Sequence, residues 1–92
     1  MAVISVKIPT PFRKFTSGEG TVPATGATVL DVVTDLETRH PGLKAMLLDD
    51  GNRMKRFINL YAGEDDVRFL QGLATPLEDG TVLSVIPAIA GG

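Results

Sequence analysis

Two stretches with a two-residue apolar period stand at opposite ends of this chain, and only one long helical pattern lies between them. Ile4, Val6 and Ile8 alternate with Val3, Ser5 and Lys7, while Leu83 and Val85 alternate with Val82, Ser84 and Ile86. Such alternation marks strands that bury one face. These are the most apolar strands of the chain, which places them at the centre of a sheet. The two ends of a chain meet only as a non-local pair, so the sheet has to close around everything between them. Ninety-two residues make one domain with a modest core.

The intervening sequence supplies the other elements. Pro9 and Pro11 end the first strand, because proline cannot donate to a ladder. Residues 12–20 read as a connection that turns at Gly18 and Gly20, and Thr21-Val22-Pro23 as a short second strand forming a hairpin with the first. Thr28 caps the helix, with Asp31 placed as in a capping box. Leu30, Val33, Leu36 and Glu37 follow at helical spacing, Val29 and Val32 widen the apolar stripe, and Asp35, Thr38 and Arg39 face outward. His40-Pro41-Gly42 stops the helix. Residues 43–48 read as a further turn or two of helix, and 49–52 as a polar turn. The run 56–61 alternates as a strand, 67–69 reads as a short strand, and 72–77 as a helical turn plugging the core with Leu73 and Leu77. Glu78-Asp79-Gly80 turns into the final strand, Thr81 to Pro87.

The order strand, strand, helix, strand, short strand, strand is that of a β-grasp. This is an α+β, ubiquitin-like fold in which a mixed sheet of about five strands curls around one main helix. The reading divides the chain into a domain over residues 1–87 and a flexible tail over residues 88–92.

Composition excludes several kinds of chemistry. There are no cysteines, so disulfides, thiolate nucleophiles and cysteine-held metals are absent. Net charge is −2 with mixed signs; Arg53, Lys55 and Arg56 make too weak a patch for nucleic acid. No apolar run approaches 18 residues and the N-terminus lacks signal-peptide features, so no membrane association is expected and the cytoplasm is the expected compartment. His40 stands alone at a helix end, and the acidic runs at 49–50 and 64–66 lack calcium-loop spacing, so no metal site is expected. No acid–base or nucleophilic group is assembled, and no catalytic residue is assigned.

What remains is the chain end. Pro87, Ala88, Ile89, Ala90, Gly91 and Gly92 can reach roughly 20 Å when extended. Glycine has no Cβ, so Gly91 and Gly92 can thread a channel that any side chain would block. Pro87 stiffens the base, and Ala88, Ile89 and Ala90 are small or apolar enough to dock in a groove. A carboxylate is a poor acyl donor, so Gly92 reacts only after a partner activates it; this chain has no ATP site. The activated carbonyl can then accept sulfur, giving a thiocarboxylate, or an amine, giving an amide. The uncovered sheet face, carrying Val82, Ser84 and Ile86 with Phe57, Asn59 and Tyr61, reads as a docking surface anchored by Phe57 and Ile86.

The segments VISVKIPTPFRKFT, VLDVVTDLETRHPGL, RFINLYAGEDDVRF, GLATPLEDG and IPAIAGG together resemble the bacterial ubiquitin-like sulfur carriers over nearly the whole chain. That family includes the molybdopterin synthase small subunit and the thiamine-pathway carrier. Residues 56–69 and 72–80 are most similar to the branch that serves actinobacterial cysteine synthesis. Ala62-Gly63 departs from the asparagine-bearing turn expected there. The resemblance implies that Gly92 is adenylated by a ubiquitin-activating-type enzyme using ATP and converted to a thiocarboxylate. It further implies a pyridoxal-phosphate-dependent cysteine synthase that takes the sulfur and a metallopeptidase that releases cysteine. Both cofactors belong to the partners, none to this chain. Carriage for molybdopterin or thiamine synthesis, or conjugation to proteins through Gly92, are the alternatives.

Overall fold

A computed structural model of the chain describes residues 2–87. Strand β1 (Ala2–Lys7) and β2 (Thr21–Gly26) form an antiparallel hairpin with Ile4 opposite Ala24 and Val6 opposite Val22. All four side chains are buried. Between the strands, where the sequence reads only a connection, Thr10–Phe15 forms a 3-10 helix. Pro11 lies in its first turn, where a missing N–H leaves no intrahelical bond unmade. The buried Phe12 side chain ties this turn to the core.

Helix α1 (Val29–Arg39) begins as the sequence predicts. Thr28 is in extended geometry and its Oγ1 accepts the Asp31 N–H at 3.3 Å. Val29, Val32, Val33 and Leu36 form the buried stripe. Each fully buried aliphatic side chain contributes about 1.5–3 kcal/mol. At the far end the His40 N–H donates to the Leu36 carbonyl at 2.7 Å, and the chain turns into α2 (Leu43–Leu47), which buries Leu43 and Leu47. Gly26 marks a close approach between β2 and the first turn of α1. A Cβ at that position would lie 2.7 Å from the backbone nitrogen of Val32.

Asp35 corrects the outward-facing expectation. Its Oδ2 accepts the Thr25 backbone N–H at 2.9 Å and the Arg39 Nε–H at 2.8 Å, binding the helix to β2. The Thr25 amide is the main reason its carboxyl is held below the ordinary aspartate range, outweighing the opposing cost of burial, and Arg39 lowers it further.

The remaining strands are β3 (Ile58–Ala62), β4 (Asp65–Asp66) and β5 (Val82–Pro87). The sheet order is β2-β1-β5-β3-β4. The first and last strands therefore pair at the centre, in parallel, with Val6 opposite Leu83. On its other side β5 runs antiparallel to β3, with Leu60 opposite Val85. All four residues are buried with the apolar stripe of α1 in one core cluster. The five-stranded mixed sheet and single main helix are the β-grasp that the sequence order implies.

Strand β2 runs three residues past the short strand expected at 21–23, and two further expectations change for local reasons. The Ile58 N–H donates to the Lys55 carbonyl at 3.1 Å, closing a turn, so 56–57 lie outside β3. Residues 67–69, expected as a strand, form a 3-10 turn instead: Asp66 Oδ1 accepts the Arg68 N–H at 2.9 Å and the Leu70 N–H returns to the Val67 carbonyl. Val67 thereby turns inward and is buried. The helical turn expected at 72–77 is observed over Gly72–Ala74, with Leu77 buried and Leu73 packed partly against the core. The turn at 62–63 has a definite geometry. Gly63 opens the β3–β4 loop at φ +64°, the first-position glycine of a tight hairpin turn.

Candidate functional site: the uncovered sheet face and the chain end

The helices pack against one face of the sheet, and the other face is left open. Alternation along β5 turns Leu83 and Val85 inward and leaves Val82, Ser84 and Ile86 on the open side. Register then assembles the surface from separate strands. Asn59 stands opposite Ile86, and Tyr61 opposite Ser84. Continuing across the sheet, Ser84 is level with Lys7, and Lys7 with Thr21. Ile86 is 45% exposed and Phe57 56% exposed. Phe57 belongs to the turn leading into β3 rather than to the strand itself, but it remains at the same end as Ile86. Apolar side chains this open have cohesive area to offer a partner.

Arg68 is a residue of this region that the sequence reading did not single out. Its guanidinium donates to Asn59 Oδ1, to the Lys55 carbonyl at 3.0 Å and to the Ile58 carbonyl at 2.7 Å. One planar fork thus holds both ends of the turn that carries Phe57. The pairing joins residues up to 13 positions apart across a 3-10 turn, which no local period announces. Phe69, 87% exposed, and Leu70, 47% exposed, add an apolar edge beside β4 that alternation also did not predict.

Pro87 is half-buried opposite Ile58, at the end of the central strand. Ala88, Ile89, Ala90, Gly91 and Gly92, expected to dock and to react, lie outside the described residues. The topology nonetheless settles where the chain arrives before them: in the middle of the sheet, next to Ile86 and near Phe57. This brings the two expected anchors and the root of the tail to one end of the domain.

The acidic turn is self-contained. Asp49 Oδ1 accepts the N–H groups of Gly51 and Arg53 at 2.9 and 3.0 Å, and the Arg53 amide is the main cause of a lowered carboxyl pKa. Among the described residues no group of three or more His, Cys, Asp or Glu side chains is placed to hold a metal ion. Nor is any described helix long and apolar enough to cross a membrane.

Known proteins share both the fold and the sequence. The chain is 41% identical over 91 residues to the sulfur carrier protein CysO of Mycobacterium tuberculosis, covering 97% of this chain and 98% of that protein. It is 42% identical over 66 residues to small archaeal modifier protein 3 of Haloferax volcanii, covering 72% and 71%. Among solved structures it superposes on a chain of the Amycolatopsis orientalis BexX/CysO complex with a TM-score of 0.91 and 47% identity, over 97% of this chain and 99% of that one. The ThiS family's sequence model matches residues 6–92, through both terminal glycines, and with the fold and these relatives in agreement the chain belongs to the ThiS family.

Proposed function

We propose that this chain is a cytoplasmic sulfur carrier for cysteine synthesis, acting as a protein co-substrate rather than an enzyme. The observation that carries the reading is the near full-length similarity to CysO, together with a family match that runs through Gly92. In this reading a ubiquitin-activating-type partner uses ATP to turn the Gly92 carboxylate into an acyl-adenylate. Sulfur then displaces AMP and leaves a thiocarboxylate. A pyridoxal-phosphate-dependent cysteine synthase takes that sulfur onto an aminoacrylate, an S-to-N acyl shift leaves cysteine amide-linked to Gly92, and a metallopeptidase frees it. This chain contributes the carbonyl, its access and its delivery: Gly91 and Gly92 for passage, Pro87 to Ala90 for docking in a partner's channel, and Phe57 and Ile86 to hold the body of the domain. That a relative forms a complex with another protein supports the docking part of the reading.

Intact-mass spectrometry of the protein from its native cell tests the proposal. The expected species is heavier by the difference between one sulfur and one oxygen, or carries a cysteinyl adduct, and Gly92→Ala abolishes both. Finding only unmodified chain under every growth condition, including sulfur limitation, would overturn it. Retention of a different pathway's enzymes by the immobilised chain would redirect it to molybdopterin or thiamine synthesis. A second reading, a protein modifier joined to lysines through Gly92, is favoured by the match to the archaeal modifier. It requires a Gly92-dependent ladder on immunoblots of whole lysate.

A further inference from the structure

The pairing of β1 with β5 is short, covering Ser5–Lys7 against Val82–Ser84. The Ser5 N–H donates to the Thr81 carbonyl at 3.1 Å. In a parallel ladder every second residue donates to the same neighbour, so the donor positions after Ser5 are Lys7 and then position 9. Position 9 is proline, which has no N–H, and the ladder stops there. The last three residues of β5 run on without β1 beside them, leaving a cavity of about 500 Å³ whose lining includes Lys7, Pro9, Arg13, Thr21, Ser84 and Ile86.

Arg13 is the built feature of this notch. It is half-buried, and its Nε–H donates to the Ile8 carbonyl at 3.1 Å. The guanidinium lies flat against Gly20, where an added Cβ would sit 2.9 Å from Nη2. The fork is therefore held in place before any partner arrives, which lowers the ordering cost of using it. Lys7 stands beside it on the open sheet face. Among the described residues neither cation has a carboxylate within ion-pair distance, and Glu19, the acid nearest to Arg13 along the chain, is exposed and unpaired with it. The surroundings are also electrostatically distinct. The first 20 residues carry three basic side chains and one acidic, whereas the remaining 72 carry six basic and ten acidic. A small positive notch on an otherwise acidic chain steers and orients an anionic partner.

We propose that this notch receives an acidic segment of a protein partner, a carboxylate pairing with Arg13 and Lys7 while the adjoining apolar chain covers Ile86 and Pro9. A planar guanidinium matches a carboxylate through two parallel N–H···O bonds. A phosphate fits less well, since phosphate cradles converge several backbone N–H groups, and position 9 has none to give. The inference rests on the reading of the open sheet face as a docking surface and adds to it a charge requirement on what docks.

The test is a heteronuclear NMR titration of the full chain with an acetylated, amidated hexapeptide, Asp-Leu-Glu-Glu-Leu-Asp, against its neutral analogue Asn-Leu-Gln-Gln-Leu-Asn. The acidic peptide is expected to move the amides of Lys7, Thr21, Ser84 and Ile86, and the neutral one to leave them in place. Lys7→Gln, on an exposed side chain, and Arg13→Gln are each expected to weaken the effect about threefold to tenfold, and Arg13→Lys, which keeps the charge but not the planar fork, is expected to weaken it as well. Raising salt from about 0.01 M to about 1 M is expected to remove it, as the screening length falls from about 30 to about 3 Å. An equal response to both peptides, shifts confined to other surfaces, or unchanged binding by the folded Lys7→Gln variant would overturn the proposal. So would the same shift pattern from inorganic phosphate at matched ionic strength. These outcomes are independent of sulfur chemistry: the mass of Gly92 reports on the carrier reading whether or not the notch binds acid.

Discussion

At the scale of single residues, two charged side chains do structural work that their sequence positions conceal. Asp35 sits at a helix position that reads as outward, yet it accepts a β2 amide and an Arg39 N–H. Its folded carboxyl is more acidic than an unfolded one, so it stabilises the fold above the unfolded value of about 4 and loses that contribution as pH falls through the lower folded value. Asp35→Asn is therefore expected to lower the melting temperature near neutrality and to converge toward the parent at low pH, as read by thermal melts across that range. Arg68 holds the Phe57 turn by three donated bonds. Arg68→Ala is expected to cost about 1–3 kcal/mol in urea titrations, with faster amide exchange at Phe57 and Ile58. Neither role is written in local spacing, because both depend on which backbone groups the fold brings alongside.

Elements were legible where periodicity was long enough to be unambiguous. The α1 stripe, its Thr28 cap and its stop at His40-Pro41-Gly42 are all readable as spacing plus local chemistry, and the observed helix follows them. Replacing Thr28 with alanine is expected to cost about 1 kcal/mol by chemical denaturation, through loss of the bond to the Asp31 N–H. Gly26→Ala is expected to cost about 1–3 kcal/mol, because the new Cβ meets helix backbone that cannot step aside. The short 3-10 pieces at Thr10–Phe15 and Val67–Phe69 were not legible as such. Three to six residues give no period to measure, and their geometry is decided by a proline, by one aspartate cap and by whether Phe12 or Val67 can reach the core.

On the scale of the whole molecule, the central parallel pair of β1 and β5 closes the chain on itself. Amide exchange is expected to be slowest in β1 and β5 among the strands, because each has a strand on both sides and buries its inner face in the core. The same closure brings Ile86, Phe57 and the root of the tail together. Phe57→Ser with Ile86→Ser is expected to weaken binding to the activating enzyme that the proposed function requires by about tenfold or more, measured by calorimetry, with little change in melting temperature since both side chains are already exposed.

The sequence by itself determined the strand–strand–helix–strand order, the central place of the two terminal strands, the helix cap and the glycine pair at the end, since each rests on local period or residue chemistry. The tertiary structure alone decided that Asp35 faces β2, that Arg68 clamps a distant turn, and that Arg13 and Lys7 share a notch with Ile86. Those three depend on sheet register and on where a ladder stops, quantities set by contacts between residues far apart along the chain or on different strands, and no spacing within one segment carries them.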